Sequence, residues 1–210
     1  MLRRFLAITA QVLVMGLTAA CGSSPAAGSP PNLTLSASDA AEVAALEARP
    51  LHMPALMANG DCPPDSLDSN GEYGQDPVYV HGGPHTASTY GDYFDVSALT
   101  HEDMVGPVVI RGTDLKVANH PVVFVSRYVS PPLFVAGPQL GTDSKFGPQY
   151  TALVIDTAFK SRALSTLAGG TYEQWTWRQG IATGWSGCVG FQVDGPGFSF
   201  TINVNDPNKT

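Results

Sequence analysis

The sequence predicts a mainly β fold: a single antiparallel β-sandwich or barrel-like domain with one or two short helices. Three observations carry that reading. The chain of 210 residues is 43% hydrophobic, enough to fill one real core. Charged residues make up only 14% while Gly numbers 22 and Pro 17, a balance that favours short elements joined by many turns over long surface helices. Short apolar runs bounded by Gly, Pro or Asn recur along most of its length, as strands of a sandwich do.

At the amino terminus, Arg3 and Arg4 precede an apolar run from Phe5 to Leu17, and Thr18-Ala19-Ala20 supplies the small residues of a cleavage site. Residues 1–20 therefore read as a secretory signal peptide. The run is short for a span, which takes about 20 apolar residues. The next residue is a cysteine, and Leu17-Thr18-Ala19-Ala20-Cys21-Gly22 resembles the lipobox of a bacterial lipoprotein. That pattern usually has Leu three residues before Cys; here Thr18 fills the place and Leu17 stands one further back. The resemblance covers only the first two dozen residues. It implies lipid attachment at Cys21 and a mature chain held at the extracytoplasmic face of the cell membrane or outer membrane. One acyl chain attaches a protein marginally and two hold it stably, at about 0.8 kcal/mol per buried methylene.

From Cys21 to residue 35 the chain is Gly, Ser, Pro and Ala with few large side chains, a lipidated cysteine and flexible tether. Fourteen such residues reach about 20 Å root-mean-square and about 46 Å when extended. Residues 36–49 form a short helix or stalk, with Ser38 or Asp39 as N-cap, Glu42 in the first turn, Arg49 in the last and Pro50 as the stop. Val43 and Leu46 are its large apolar residues, and a helix this short is marginal in water unless it docks.

The β-rich globular domain occupies residues 50–206. Its clearest element is a terminal hairpin: Val189, Phe191 and Val193 alternate with small or polar residues, Asp194-Gly195-Pro196-Gly197 turns the chain, and Phe198, Phe200, Ile202 and Val204 alternate again. Strands are also expected at 76–82, 107–112, 121–129, 150–159 and 172–179, with a second helix candidate at 158–169.

With Cys21 assigned to lipid, Cys62 and Cys188 remain as a disulfide pair in an oxidising compartment. Ser186 fails the nucleophile-elbow pattern, because Cys188 stands where that strained turn needs glycine. His81 and His85, with Asp76 and His101 nearby, have the chemistry of metal ligands, but Gly82-Gly83-Pro84 forbids the helix that would bring the first two together. No metal site follows, and no cofactor is implied. Residues 65–72 have the oxygen-rich look of a calcium loop, yet depart from its pattern at both ends. Trp175 and Trp177 share a strand face, with Trp185 and Tyr172 close in sequence; such rings pack a core, or bind a carbohydrate or a protein partner at the cell surface.

Formal net charge is -7, and without Arg3 and Arg4 there remain 9 bases against 18 acids. Nucleic acid is thereby excluded as a partner, since no basic patch exists to neutralise phosphates. The leading expectation is a membrane-anchored, non-catalytic binding or envelope-structural protein, whose oligomeric state the sequence leaves open. The alternative is an extracytoplasmic hydrolase in which Asp76, His81, His85 and His101 meet in one pocket. A transporter's solute-capturing lipoprotein fits less well, because two α/β lobes need more chain than this.

Overall fold

A computed structural model describes residues 35–64, 73–88, 91–125, 133–144, 147–158, 164–167, 169–180 and 186–205. Within them the chain forms helix α1 (Ala37–Glu47) and eleven strands. One sheet runs in the order β1 (Tyr73–Gln75), β2 (Val78–Ser88), β3 (Gly91–His101), β9 (Gly170–Gly180), β8 (Leu164–Leu167). The other contains β4 (Pro107–Asp114), β5 (Phe124–Val125), β6 (Leu133–Asp143), β7 (Gly147–Asp156), β10 (Cys188–Gly195) and β11 (Phe198–Asn205). Its order is β11-β10-β4-β7, and β6 pairs along the free edge of β7. Beyond the end of β4, β5 takes the place beside β7, opposite Tyr150 and Gln149. Every pairing is antiparallel. The mainly β, sandwich-like class expected from the sequence is the class observed.

The core lies between the sheets. Val78, Val80 and Ala98 of the first sheet pack with Val108, Ile110, Phe124, Leu153, Ile155, Val189, Phe191, Val193, Ile202 and Val204 of the second. The hairpin alternation predicted at the carboxyl end is realised residue by residue: Val189 faces Val204, Phe191 faces Ile202 and Val193 faces Phe200. Gly197, at φ +78°, makes the turn.

The second sheet is covered on its outer side as well. Val43 and Leu46 of α1 are buried against Val109, Ala152 and Val154, so the helix docks on the body. Its start differs from the expected one. Ser36 is the N-cap, its Oγ accepting the Asp39 backbone N–H at 3.1 Å, and the helix ends before Arg49. Ser36 takes the cap because its hydroxyl both accepts the Asp39 N–H and donates to the Asp39 carboxylate three residues on. After α1 the extended chain crosses β10 and β11. The backbone N–H of His52 donates to Gln192 Oε1 at 2.6 Å, and Asn203 Nδ2 donates to the carbonyls of Pro63 and Pro64. Gly190 makes room for this crossing: a Cβ there would lie 3.1 Å from Met53 Sδ and 3.3 Å from Pro54.

The second helix candidate is corrected. Leu164–Leu167, inside the 158–169 stretch, is β8, because Gly169 at φ +84° folds the chain back and pairs Leu167 with Gly170; residues 159–163 lie outside the described residues. Of the 121–129 strand, the described part pairs as Phe124–Val125, with Pro121 making an isolated bridge to Thr113 since proline has no N–H to donate; 126–129 lie outside the described residues. Two long strands, β3 and β6, were not foreseen. In β6, Gly137, Pro138 and Gly141 disguise an edge strand that tolerates them through register shifts between Ala136 and Gln139 and between Gln139 and Gly141.

Candidate functional site

The outer face of the second sheet holds a polar network that the alternation of β4 and β10 builds directly. Val108 and Ile110 point into the core, which leaves Val109 and Arg111 outside; Val189, Phe191 and Val193 do the same for Gln192 and Asp194. Register sets Arg111 opposite Gln192 and Val109 opposite Asp194. Helix α1 then seals these polar groups away from water, so each needs a partner.

Arg111 supplies most of them. Its Nη2 donates to Asp194 Oδ2 at 2.7 Å, and its Nη1 donates to the carbonyls of Glu47 and Arg49 at 2.7 and 2.9 Å. Those carbonyls close the carboxyl end of α1, where backbone acceptors have no partner within the helix and the dipole favours a cation. Gln192 Nε2 donates to Asp194 Oδ2 at 2.9 Å and to the Pro50 carbonyl at 3.1 Å. Arg49 Nη1 reaches the Phe198 and Gly195 carbonyls at 2.8 and 3.2 Å. Burial pushes the wholly buried Asp194 carboxyl up, but bonds from Arg111, Ser199 and Gln192 outweigh it and hold the group below the usual carboxylate range.

Beside this network opens a cleft of about 310 Å³, lined by Glu47, Leu51, Arg111, Pro138 and Thr151 with two glycines and Pro121. In two of the residues that line it, Glu47 Oε1 and Arg111 Nε are buried out of reach of water without a hydrogen-bond partner. Burial raises the Glu47 carboxyl above its ordinary value, and the nearby Arg111 charge only partly opposes this.

Of the residues nominated from sequence, Asp76 and His101 each contact Tyr172 on the outer face of the first sheet. Tyr172 donates its hydroxyl to Asp76 Oδ1 at 2.9 Å, while the His101 ring stands edge-on to the Tyr172 ring with centroids 5.2 Å apart. Tyr79 packs on the same phenol at 5.4 Å. Burial first, then the Asp76 carboxylate, pushes the Tyr172 phenol far up, so it keeps its proton and acts as a donor. His101 Nδ1 accepts the Asp103 backbone N–H at 3.4 Å.

His81 and His85 stand in β2 opposite Ser97 and Tyr93. The His85 row is thus eight strand residues from His101, about 26 Å along the sheet. Their side chains lie outside the described residues, as do those of Trp175 and Trp177. Register puts Trp175 opposite Ala98, a core position, and Trp177 opposite Val96 two places on. Cys21, Trp185 and residues 65–72 lie outside the described residues altogether.

Cys62 and Cys188 are bonded, with Cα atoms 5.6 Å apart. Ser186, just before, donates its hydroxyl to Asp114 Oδ1 at 2.7 Å and its backbone N–H to Asp114 Oδ2 at 2.5 Å. Asp114 Oδ1 also accepts the N–H groups of Lys116 and Val117 at 2.8 and 2.9 Å. This carboxylate is a clasp between the turn after β4 and the start of β10. Among the described residues, no three His, Cys, Asp or Glu side chains cluster as a metal would require, and no helix is long and apolar enough to cross a membrane. Compared with family models, curated proteins and solved structures, the chain matches none of them.

Proposed function

We propose that the chain is a lipid-anchored extracytoplasmic protein whose β-sandwich is a non-catalytic binding or envelope-structural module, tethered to a membrane by acyl chains on Cys21. The observation that carries the proposal is the Cys62–Cys188 bond, which joins the segment after α1 to the start of the last hairpin across a separation of 126 residues. Such a bond persists in an oxidising compartment, where the signal peptide and lipobox-like segment would deliver the chain. The docking of α1 adds support, since it fixes to the body the helix that follows the tether expected from sequence.

The non-catalytic part of the reading rests on how the acids are engaged. Asp194 neutralises a buried guanidinium, Asp114 clasps a turn, and Asp76 accepts from a phenol that retains its proton. Each carboxylate is occupied in holding two chain segments together. Partners fitting this reading are the membrane, reached through Cys21, and a carbohydrate or protein at the cell surface.

Expression of the full chain in a bacterial host, with Cys21→Ser alongside, tests the proposal. Wild type should sediment with membranes and partition into the detergent phase, with Cys62 and Cys188 protected from alkylation until reduced. The variant should move to the aqueous phase with its disulfide intact. Identical partitioning of the two proteins, or free thiols at Cys62 and Cys188, would contradict it.

A further inference from the structure

We infer that α1 is a proton-sensitive strap: it docks on the outer face of the second sheet more tightly when the Glu47 side chain carries a proton, and loosens when that side chain is ionised. The inference concerns the body alone and rests neither on the lipid anchor nor on a bound ligand.

Three observations place the switch at Glu47. It is the last residue of α1, where the helix dipole disfavours an anion, and no basic residue stands in the last turn to offset it. Its Oε1 is buried out of reach of water and has no hydrogen-bond partner, which costs a carboxylate far more than a neutral carboxyl. Gly137 of β6 closes over that oxygen, since a Cβ there would lie 3.3 Å from it. The strap is also lightly held. Two large side chains, Val43 and Leu46, bury it against the sheet, and Arg111 Nη1 donates to the Glu47 and Arg49 carbonyls at its end.

The surroundings do not cancel the charge. Arg111 of β4 is the cation that acts on Glu47, but its terminal nitrogens are spent on Asp194 of β10 and the two carbonyls, and it opposes the effect of burial only in part. Arg49, next along the chain, turns its guanidinium to Asp194 and to the Gly195 and Phe198 carbonyls. From β6 and β7 the described residues here are Gly137, Pro138 and Thr151, which do not titrate. Burial therefore raises the Glu47 carboxyl, so its contribution to docking is complete below the ordinary carboxylate value and is lost as pH rises through the docked one. Asp194 has the opposite sign: its carboxyl is lowered, and its contribution is lost as pH falls through the folded value. Docking is tightest in the mildly acid interval between the two titrations. When α1 lifts, Val109, Ala152 and Val154 lose their cover. The 11 residues of α1, too few to stay helical alone in water, then reach about 36 Å extended in place of about 16 Å as a helix.

The test uses the full chain in detergent, with NMR titration of the Glu47 carboxyl and hydrogen exchange at the Val43 and Leu46 amides. Glu47 should titrate above a free glutamate. Glu47→Gln and Glu47→Met, which keep the length of the side chain without its charge, should hold α1 docked from pH 5 to 8. Over the whole Glu47 titration, protection in wild type relative to Glu47→Gln should fall tenfold for every pH unit by which the Glu47 midpoint exceeds the free value. A thiol placed under the strap by Ala152→Cys, at a fully buried position, distinguishes lifting from fraying of the helix end. At pH 8, with the labelled site located by peptide mass spectrometry, it should alkylate several-fold faster with Glu47 present than in combination with Glu47→Gln. A Glu47 midpoint at or below the free value, wild-type protection that follows Glu47→Gln at every pH, or equal alkylation in the two backgrounds would overturn the inference.

Discussion

Truncating Asp194 to alanine probes the polar network at its most buried point. The carboxylate is wholly buried, and the Arg111 side chain facing it is only 11% exposed. Removing the acid leaves a guanidinium held in place by the Glu47 and Arg49 carbonyls but without its hydrogen-bonded counter-charge, and it strips Gln192 Nε2 of one acceptor. Breaking a buried pair at one end costs about 3–5 kcal/mol. The contact from Arg49, longer at 3.5 Å and with a side chain 36% exposed, adds little to that figure. A domain of this size has about 5–15 kcal/mol of stability in all, so the variant should unfold at a much lower urea concentration with an unchanged slope. Replacing both residues, Arg111→Met with Asp194→Leu, should cost less than the sum of the single changes, because no charge is then stranded. The pH dependence has a definite sign. Since the folded-state pKa of Asp194 is lowered, its contribution is complete above the unfolded carboxylate value and is lost as pH falls through the folded one. Wild type should therefore lose urea resistance below about pH 4 more steeply than Asp194→Ala. A loss under about 1 kcal/mol for the single variant at pH 7 would refute the assignment of this pair as the clamp on α1.

Two further changes address other parts of the fold. Replacing Cys62 and Cys188 by serine opens a loop spanning 126 residues, which in the chain-entropy account lowers stability by about 5 kcal/mol, readable as a fall in melting temperature equal to that caused by reductant. Tyr172→Phe removes the bond to the exposed Asp76 and should cost about 1 kcal/mol at neutral pH. Because the Tyr172 phenol is raised in the fold, wild type should lose stability as pH rises above about 10, and the variant should lose less over the same range.

What the sequence discloses depends on which face of a strand is asked about. Val189, Phe191 and Val193 announce the inner face of β10 by alternation alone, and their partners in β11 do likewise. On the opposite face, Gln192 and Asp194 look like solvated residues, because polarity by itself does not distinguish a wet surface from a buried network. A hint was present in β4: Val109 shares its face with Arg111, and an apolar residue there means that something covers it. The covering element, α1, was legible as a helix, yet its docking was not, since Val43 and Leu46 give a stripe only two large residues wide. The cleft was invisible for the same reason. Glu47 and Arg111 are 64 residues apart and meet only because α1 docks on β4.

The polar residues nominated from sequence show the converse. Asp76 and His101 each contact Tyr172, one at its hydroxyl and one at its ring, whereas the sequence sets Tyr172 only among the aromatic residues around Trp175 and Trp177. The distance along β3 between the His101 and His85 rows follows from a hairpin that Gly82, Gly83 and Pro84 concealed. Glycine and proline usually mark turns, and here they lie inside an eleven-residue strand.

The most direct test of the anchored-domain account is mass spectrometry of the amino-terminal peptide from protein extracted out of native membranes. The account predicts a chain that begins at Cys21 and carries a diacylglyceryl group on its sulfur. An unmodified Cys21, or a mature chain that still contains residues 1–20, would contradict it.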